Sequence, residues 1–247
     1  MPIPAAAREA LERLELEVPE EALETLDRYL HRLLEVNQRM NLTAVREHDP
    51  AWLRLVVDAL TALPGLPGAG EDADPEATGS RSVIDVGSGG GLPGVPLAVV
   101  RPDLPFTLLE ATGKKARFLE ETAAELGLEN VTVLNARAEA AGRDPHHRER
   151  YGLAVSRAVG PMPVILELTL PLVEVGGRSL CMKGPRAEQE LRDSGEALHR
   201  LGAGEVAVFD AYPEDFGNDL VMVSVVKASA TPKKYPRTPG TPKADPL

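Results

Sequence analysis

Hydrophobic residues in the first quarter of the chain recur at helical spacing. Within residues 23–40, leucines return every three or four positions and give one apolar face, which is the pattern of an amphipathic helix. A shorter helix is expected over residues 5–17, and a third over about residues 49–63, after a polar loop. Residues 1–66 are therefore predicted to form an N-terminal helical segment.

The periodic pattern stops at residues 67–80, where Gly, Pro and acidic residues follow one another without hydrophobic spacing. Such a composition is typical of a linker. We therefore place a boundary here, between the helical segment and a second unit that spans residues 81–230.

Short apolar runs alternate with amphipathic stretches throughout this second unit. Strands that alternate with helices need crossover connections, which favour a mostly parallel, doubly wound sheet. The last two strands have no long helix between them, so we expect an antiparallel edge strand. The predicted fold class is thus α/β, with the N-terminal helical segment added. The expected strands are residues 82–87, 105–111, 131–136, 152–159, 178–184, 205–210 and 219–228.

The composition indicates a folded protein of the cytoplasm. The chain has 247 residues, of which 43% are hydrophobic, enough to build a core. No apolar run is long enough to cross a bilayer, and the first residues lack a signal-peptide core, so no membrane partner is expected. The single cysteine, Cys181, cannot form an internal disulfide or a zinc site by itself, and no metal is expected.

Charge is distributed unevenly along the chain. The formal net charge is -11, which argues against broad nucleic-acid binding but leaves room for a local basic patch. Residues 231–247 form a basic, Pro-rich C-terminal tail with four Lys or Arg residues against one Asp. Such a tail either holds an RNA backbone or is a disordered solubilising segment. No pattern indicates oligomerisation, so a monomer is expected.

The strongest candidate for a binding site is the glycine-rich stretch VIDVGSGGGLPGVPLA, residues 83–98. An apolar strand passes through Asp85 into Gly87 and Gly89, and glycines here let a cofactor approach the backbone. An acid beside the turn suits a ligand with a cationic amine, such as S-adenosylmethionine, better than a pyrophosphate. The string GxGxxG starts only at Gly89, four residues beyond Asp85, so a nucleotide-dependent oxidoreductase is kept as an alternative.

Two further strand ends carry polar residues. Glu110 ends the second predicted strand, where an acid in a doubly wound fold binds the ribose hydroxyls of a nucleotide. The third strand leads into residues 135–139, and a polar side chain at that place commonly meets adenine. These positions extend the candidate cofactor site along neighbouring strands.

Several motifs together resemble the glucose-inhibited division protein B family, whose members are bacterial small-subunit ribosomal RNA guanine-N7 methyltransferases. The resemblance covers nearly the whole chain from about Arg28, and the combination is more specific than the glycine turn alone. The motifs are NLTAVRE, IDVGSGGGLPGVPLA, LLEATGKKARFL, VSRAV, MKG and TPKKYPRTPGTPKADPL.

The resemblance implies a class I, Rossmann-like methyltransferase. It would transfer a methyl group from S-adenosylmethionine to N7 of a guanine in 16S ribosomal RNA, of the guanine 527 class in the decoding region. The partner would be 16S ribosomal RNA within the small subunit or an assembly intermediate, faced by Arg137, Arg157 and Lys183. Together with the residues chosen above, the expected cofactor-binding set is Asp85, Gly87, Gly89, Leu92, Glu110, Ala111, Thr112, Ala138, Glu139 and Arg157.

This chemistry requires no catalytic acid or base, because guanine N7 carries a lone pair and no proton. The enzyme aligns the reacting atoms and excludes water. In one departure from the family, Leu55 and Ala59 stand where a His and a Ser are common, which leaves the role of Asp58 open. Two further alternatives are methyl transfer to a small molecule or protein, which the acidic net charge favours, and a non-enzymatic interaction protein.

Overall fold

The computed structural model describes residues 2–68 and 79–247, and most of the predicted linker lies outside these ranges. Seven strands form one sheet in the order β3-β2-β1-β4-β5-β7-β6. Strands β1 to β5 are parallel, whereas β7 is antiparallel to both β5 and β6. The predicted mostly parallel sheet with antiparallel pairing at one edge is confirmed. The strands are β1 Val83–Val86, β2 Phe106–Leu109, β3 Val131–Leu134, β4 Tyr151–Arg157, β5 Val173–Lys183, β6 Ala203–Asp210 and β7 Val221–Lys227.

Helices cover both faces of the sheet. Successive residues of a strand point to opposite faces, so a single strand packs against helices on both sides. In β1, Val83 packs in one hydrophobic cluster with Leu97, and Ile84 packs in another with Ala141. No helix in the described ranges is long and apolar enough to cross a membrane. The helices are α1 Ala5–Arg13, α2 Glu20–Met40, α3 His48–Ala51, α4 Asp58–Leu60, α5 Gly94–Val100, α6 Gly113–Leu126, α7 Ala138–Ala141, α8 Met162–Thr169, α9 Ala187–Arg192, α10 Gly195–Leu201 and α11 Thr241–Ala244.

Most elements lie within four residues of their predicted bounds, and three differ further. The third N-terminal helix contains a π-helical stretch, Trp52–Val57, between α3 and α4. Between β5 and β6, where the alternating pattern predicts one helix, the structure has two, α9 and α10, because the hydroxyl of Ser194 bonds to the carbonyl of Glu190 and competes with continued helical bonding. Strand β5 starts earlier than expected, since its first residues, interrupted by glycines, still pair with Tyr151.

The N-terminal helices and the sheet share one hydrophobic cluster. Leu26 and Leu30 of α2 and Trp52 are fully buried in it together with Leu108 of β2 and Leu119 of α6. Polar contacts reinforce the same junction, since the guanidinium of Arg32 bonds to carboxylates on α6. The helical segment is therefore packed directly against the sheet.

The C-terminal segment, residues 231–247, is also packed against the protein. Tyr235 is buried in the cluster around α8 and α10. The guanidinium of Arg237 bonds with both oxygens of Glu167, which is fully buried, at 2.9 and 2.7 Å. The guanidinium of Arg148 donates to the carbonyls of Tyr235 and Thr231. Paired in this way, the segment is ordered and is not a solvated tail.

The start of α5 requires glycine at residue 94. The backbone N–H of Gly94 donates to Asp85 Oδ2 at 3.0 Å. A Cβ at this position would lie 2.7 Å from the same oxygen and closer still to the Leu108 side chain. The helix can therefore approach β1 only where no side chain intervenes.

We predict that Gly94→Ala lowers the free energy of unfolding by about 3 kcal/mol, because the added methyl overpacks a rigid core. Urea unfolding followed by circular dichroism measures the change. Gly195→Ala is the matched control, since no atom of the described residues lies within 4 Å of its added Cβ, and we expect a change within about 0.5 kcal/mol. Equal stability of the two variants would contradict the close approach.

Candidate functional site

The glycine-rich loop lies where the strand order reverses. Strand β1 is flanked by β2 on one side and β4 on the other, and the carboxyl ends of such strands open a crevice for ligands. Gly87, Gly89 and Gly91 have φ values of +79°, +59° and +100°, a region that side chains disfavour. The hydroxyl of Tyr29 on α2 donates to the carbonyl of Gly90 at 2.8 Å. The loop is thus held from both the sheet and the N-terminal helices.

The glycine-rich loop lines two cavities, and a third cavity adjoins one of them. The small cavity has a volume of about 220 Å³ and includes Gly87, Glu110, Ala111, Arg137, Ala138 and Glu139 in its lining. The central cavity, about 870 Å³, includes Gly87, Gly89, Leu92, Asp58, Lys115 and Arg157. The outer cavity, about 980 Å³, includes Arg157, Lys183, Arg186 and Glu190. Gly87 is common to the small and central cavities, and Arg157 to the central and outer ones, so the three are adjacent.

Glu110 connects β2 with the glycine-rich loop. Its Oε2 accepts the N–H of Gly89 at 3.0 Å, and its Oε1 accepts the N–H of Thr112 at 2.7 Å. The carboxylate is buried but lines the small cavity, and each oxygen has a further lone pair for a ligand hydroxyl. Thr112 is exposed and occupies the N-cap position of α6. Its backbone, rather than its side chain, contributes to this arrangement.

Asp85 lies elsewhere than the sequence suggests. Its side chain is completely buried and is not part of the lining of the three cavities. Oδ2 accepts the N–H of Gly94, while Oδ1 has no hydrogen-bond partner in the described part of the chain. Burial raises the pKa of Asp85 to about 7, although the Gly94 hydrogen bond opposes the change. The observed role of this carboxyl group is to hold the end of the glycine-rich loop through its hydrogen bond to Gly94.

A raised pKa in the folded state makes the charged form of Asp85 a cost to folding. We predict that stability relative to Asp85→Asn falls as the pH rises from about 4, where the unfolded carboxyl ionises, to about 7, and then becomes constant. Urea unfolding of both proteins across this range measures the difference. A difference that does not change with pH would show that Asp85 ionises alike in both states.

Arg157 ends β4 between the central and outer cavities. Its Nη2 donates to Asp58 Oδ2 at 2.9 Å and to the carbonyl of Arg54 at 2.6 Å. Its Nη1 is buried and has no hydrogen-bond partner among the described residues. This nitrogen can therefore donate to an acceptor on a ligand.

Asp58 is the centre of the network that fixes Arg157. Its Oδ1 accepts the hydroxyl of Tyr212 at 2.6 Å and the amide of Asn218 at 3.2 Å. Asp58 belongs to α4, whereas Tyr212 and Asn218 belong to the connection between β6 and β7. The acid whose role the sequence left open thus joins three distant segments at the candidate site.

We predict that Asp58→Ala lowers the free energy of unfolding by about 3 kcal/mol, because a largely buried guanidinium loses its counter-ion. Tyr212→Phe is the control: it removes one hydrogen bond to Asp58 but keeps the ion pair, and should cost about 1 kcal/mol. Urea unfolding at neutral pH compares the two variants. Equal losses would mean that the Asp58–Arg157 pair adds nothing to stability.

The other two expected substrate-facing cations are separated. Lys183 lines the outer cavity beside Arg157, but its Nζ is bound by Glu190 at 2.6 Å and by the carbonyl of Gly160 at 2.8 Å. Arg137 is exposed and lines the small cavity with the expected cofactor residues. The structure therefore brings Arg157 and Lys183 together and places Arg137 on the opposite side of Gly87.

Two groups of lining residues were not selected from the sequence. Residues 42–45 line the central cavity, and Asn37 holds their loop by accepting the N–H groups of Leu42 and Thr43. Residues 216–219 line the same cavity from the other side. The NLTAVRE motif indicated residues 42–45. No sequence motif indicated residues 216–219, which only the sheet topology brings to this cavity.

A cluster of histidines and carboxylates joins α3 to α2. His48 lies with Nε2 2.7 Å from Asp27 and Nδ1 3.0 Å from Asp49, and Trp52 donates to Asp27 at 2.9 Å. The possible ligand atoms of Asp27, His31 and His48 lie within 4.8 Å of one another, a set that suits a divalent cation. In the structure these groups bond to each other and to backbone, so their observed role is to connect two helices.

Known proteins are similar to this chain over most of its length. The family model described as rRNA small subunit methyltransferase G matches residues 22–212. A protein of that name from Lactobacillus delbrueckii subsp. bulgaricus is 41% identical over 221 residues, 89% of each chain. One from Alkaliphilus metalliredigens is 37% identical over 242 residues, 97% of each chain. A solved structure from Corynebacterium glutamicum has a TM-score of 0.52 and 20% identity, covering 81% of this chain and 90% of the other, and shows a similar fold.

The doubly wound sheet, the cavities beside its glycine-rich loop and these relatives together identify a methyltransferase of the α/β class. Within that class, the chain belongs to the rRNA small subunit methyltransferase G family. This is the family that the sequence motifs indicated.

Proposed function

We propose that this protein transfers a methyl group from S-adenosylmethionine to N7 of a guanine in 16S ribosomal RNA, of the guanine 527 class. The substrate would be the RNA within the small subunit or an assembly intermediate, and the enzyme would act as a monomer in the cytoplasm. Family membership supports ribosomal RNA as the substrate. The observation that carries the proposal at the atomic level is Nη1 of Arg157, which is buried between two cavities and has no hydrogen-bond partner within residues 2–68 and 79–247.

The residues beside the glycine-rich loop fit S-adenosylmethionine. Of the expected set, Glu110, Ala111, Ala138 and Glu139 line the small cavity, where carboxylates can accept hydrogen bonds from ribose hydroxyls and from an adenine amine. Gly89 and Leu92 line the central cavity, and Gly87 lines both. The adenosine would therefore occupy the small cavity and the methionine end the central one.

In this arrangement, the residues position the reactants and do not transfer protons. When bound, S-adenosylmethionine supplies a methyl group on a positively charged sulfur. Arg157 can donate from Nη1 to O6 of the guanine, which neighbours N7, while the N7 lone pair stays free for attack. Asp58 keeps the guanidinium in place for this contact.

Cations near the openings can hold the phosphates of the RNA despite the acidic net charge. Arg54 and Lys115 border the central cavity, and Arg186 borders the outer one. Acidic Asp219 is common to both cavities and limits the positive potential there. Methyl transfer to a small molecule or protein is the second candidate, favoured only by the overall charge of -11.

The test is to incubate the protein with methyl-labelled S-adenosylmethionine and separately with small ribosomal subunits, naked 16S ribosomal RNA and protein extract. We expect label at a single guanine, at which the RNA backbone is cleaved by chemistry specific for N7-methylguanine. Label confined to protein or small molecules would overturn the proposed substrate.

The same assay tests Arg157. We predict that Arg157→Lys, which keeps the charge but loses the planar donor set, lowers the rate of transfer about a hundredfold, as removal of a well-placed donor does elsewhere. Arg192→Ala is the matched control, because Arg192 is exposed on α9 and pairs with Glu188. An unchanged rate in Arg157→Lys would remove Arg157 from the site.

A further inference from the structure

The end of the C-terminal segment closes the small cavity. Gly240, Pro242 and Lys243 are part of its lining, and the ring of Pro242 is buried. The backbone N–H of Gly240 donates to Glu139 Oε1 at 2.8 Å. The segment therefore both forms a wall and fixes one of the two carboxylates of this cavity.

We infer that residues 240–243 form part of the adenine subsite, so that the last residues of the chain bind the cofactor. This inference rests on the proposed function, which places the adenosine in the small cavity. The subsite would accept a purine nucleoside with an exocyclic amine.

The chemistry of the walls supports a flat, partly apolar ligand. Val86, Leu109, Val164 and Leu168 line the cavity and offer apolar contact to the faces of a ring. Oε1 of Glu139 is held by Gly240, which leaves Oε2 as the acceptor for the amine of an adenine. The pyrrolidine ring of Pro242 adds a rigid apolar surface that loses little entropy when a ligand binds.

The anchoring of the segment opposes the idea that it only holds RNA. The charge of Arg237 is neutralised by Glu167 and Asp245, so this residue is not free to bind phosphate. Lys233 and Lys234 are exposed and are not part of the cavity lining. The segment thus has a basic outer part before residue 237 and a cavity-lining part after it, and these can be tested separately.

Calorimetric binding of S-adenosylhomocysteine and of adenosine to the full chain and to variants tests the inference. A chain that stops after Thr238 keeps Tyr235 and Arg237, the anchors of the segment. We expect its dissociation constants for both ligands to rise about tenfold, as lost apolar contact and a released Glu139 carboxylate require. Pro242→Ala should raise both about threefold. The double variant Lys233→Glu/Lys234→Glu is the control and should bind both ligands unchanged.

The outcomes separate this inference from the proposed function. Unchanged affinity in Pro242→Ala and in a folded truncated chain would overturn it, and if the truncated chain fails to fold, Pro242→Ala decides. A raised KM for RNA in the lysine variant, with unchanged ligand binding throughout, would assign the segment to RNA instead. Failure of the full chain to bind S-adenosylhomocysteine would overturn the proposed function itself.

Discussion

The structure depends on a close approach between the glycine-rich loop and its surroundings. Below the loop, Asp85 accepts the N–H of Gly94 where no side chain would fit. Beside it, Glu110 accepts the N–H of Gly89. Above it, the hydroxyl of Tyr29 binds the carbonyl of Gly90. Because three separate segments fix these few residues, the loop presents its backbone to the cavities in one conformation.

The same principle extends to Arg157, which lies between the central and outer cavities. Arg157 comes from a strand, but its orientation depends on Asp58 in the N-terminal helices and on Tyr212 and Asn218 beyond β6. A guanidinium at the end of a strand has many rotamers, and an ion pair in a largely buried position selects one of them. The N-terminal segment therefore helps to fix Arg157 at the border of the central and outer cavities.

The sequence predicted those features that depend on local pattern. Alternating strands and helices indicated the sheet, and the glycines and Glu110 located the crevice, because each of these signals is carried by a short stretch of neighbouring residues. The π-helical stretch at Trp52 and the division of α9 from α10 carry no comparable signal. The network of Asp58 with Tyr212 joins residues 154 positions apart, so only the folded topology shows it. The packing of Arg237 on Glu167 was missed for the same reason: a charged, Pro-rich composition resembles a solvated tail until its partners are known.

The shared hydrophobic cluster between the N-terminal helices and the sheet has a consequence for how the molecule unfolds. Leu30, Trp52 and Leu119 lose their packing partners together, so neither part retains a complete core without the other. Such coupling makes the two parts a single cooperative unit. A state in which the sheet is intact but residues 42–45 and Asp58 have detached would expose this cluster to water and is strongly disfavoured. Folded molecules therefore have all walls of the central cavity in place, and unfolding removes these walls together.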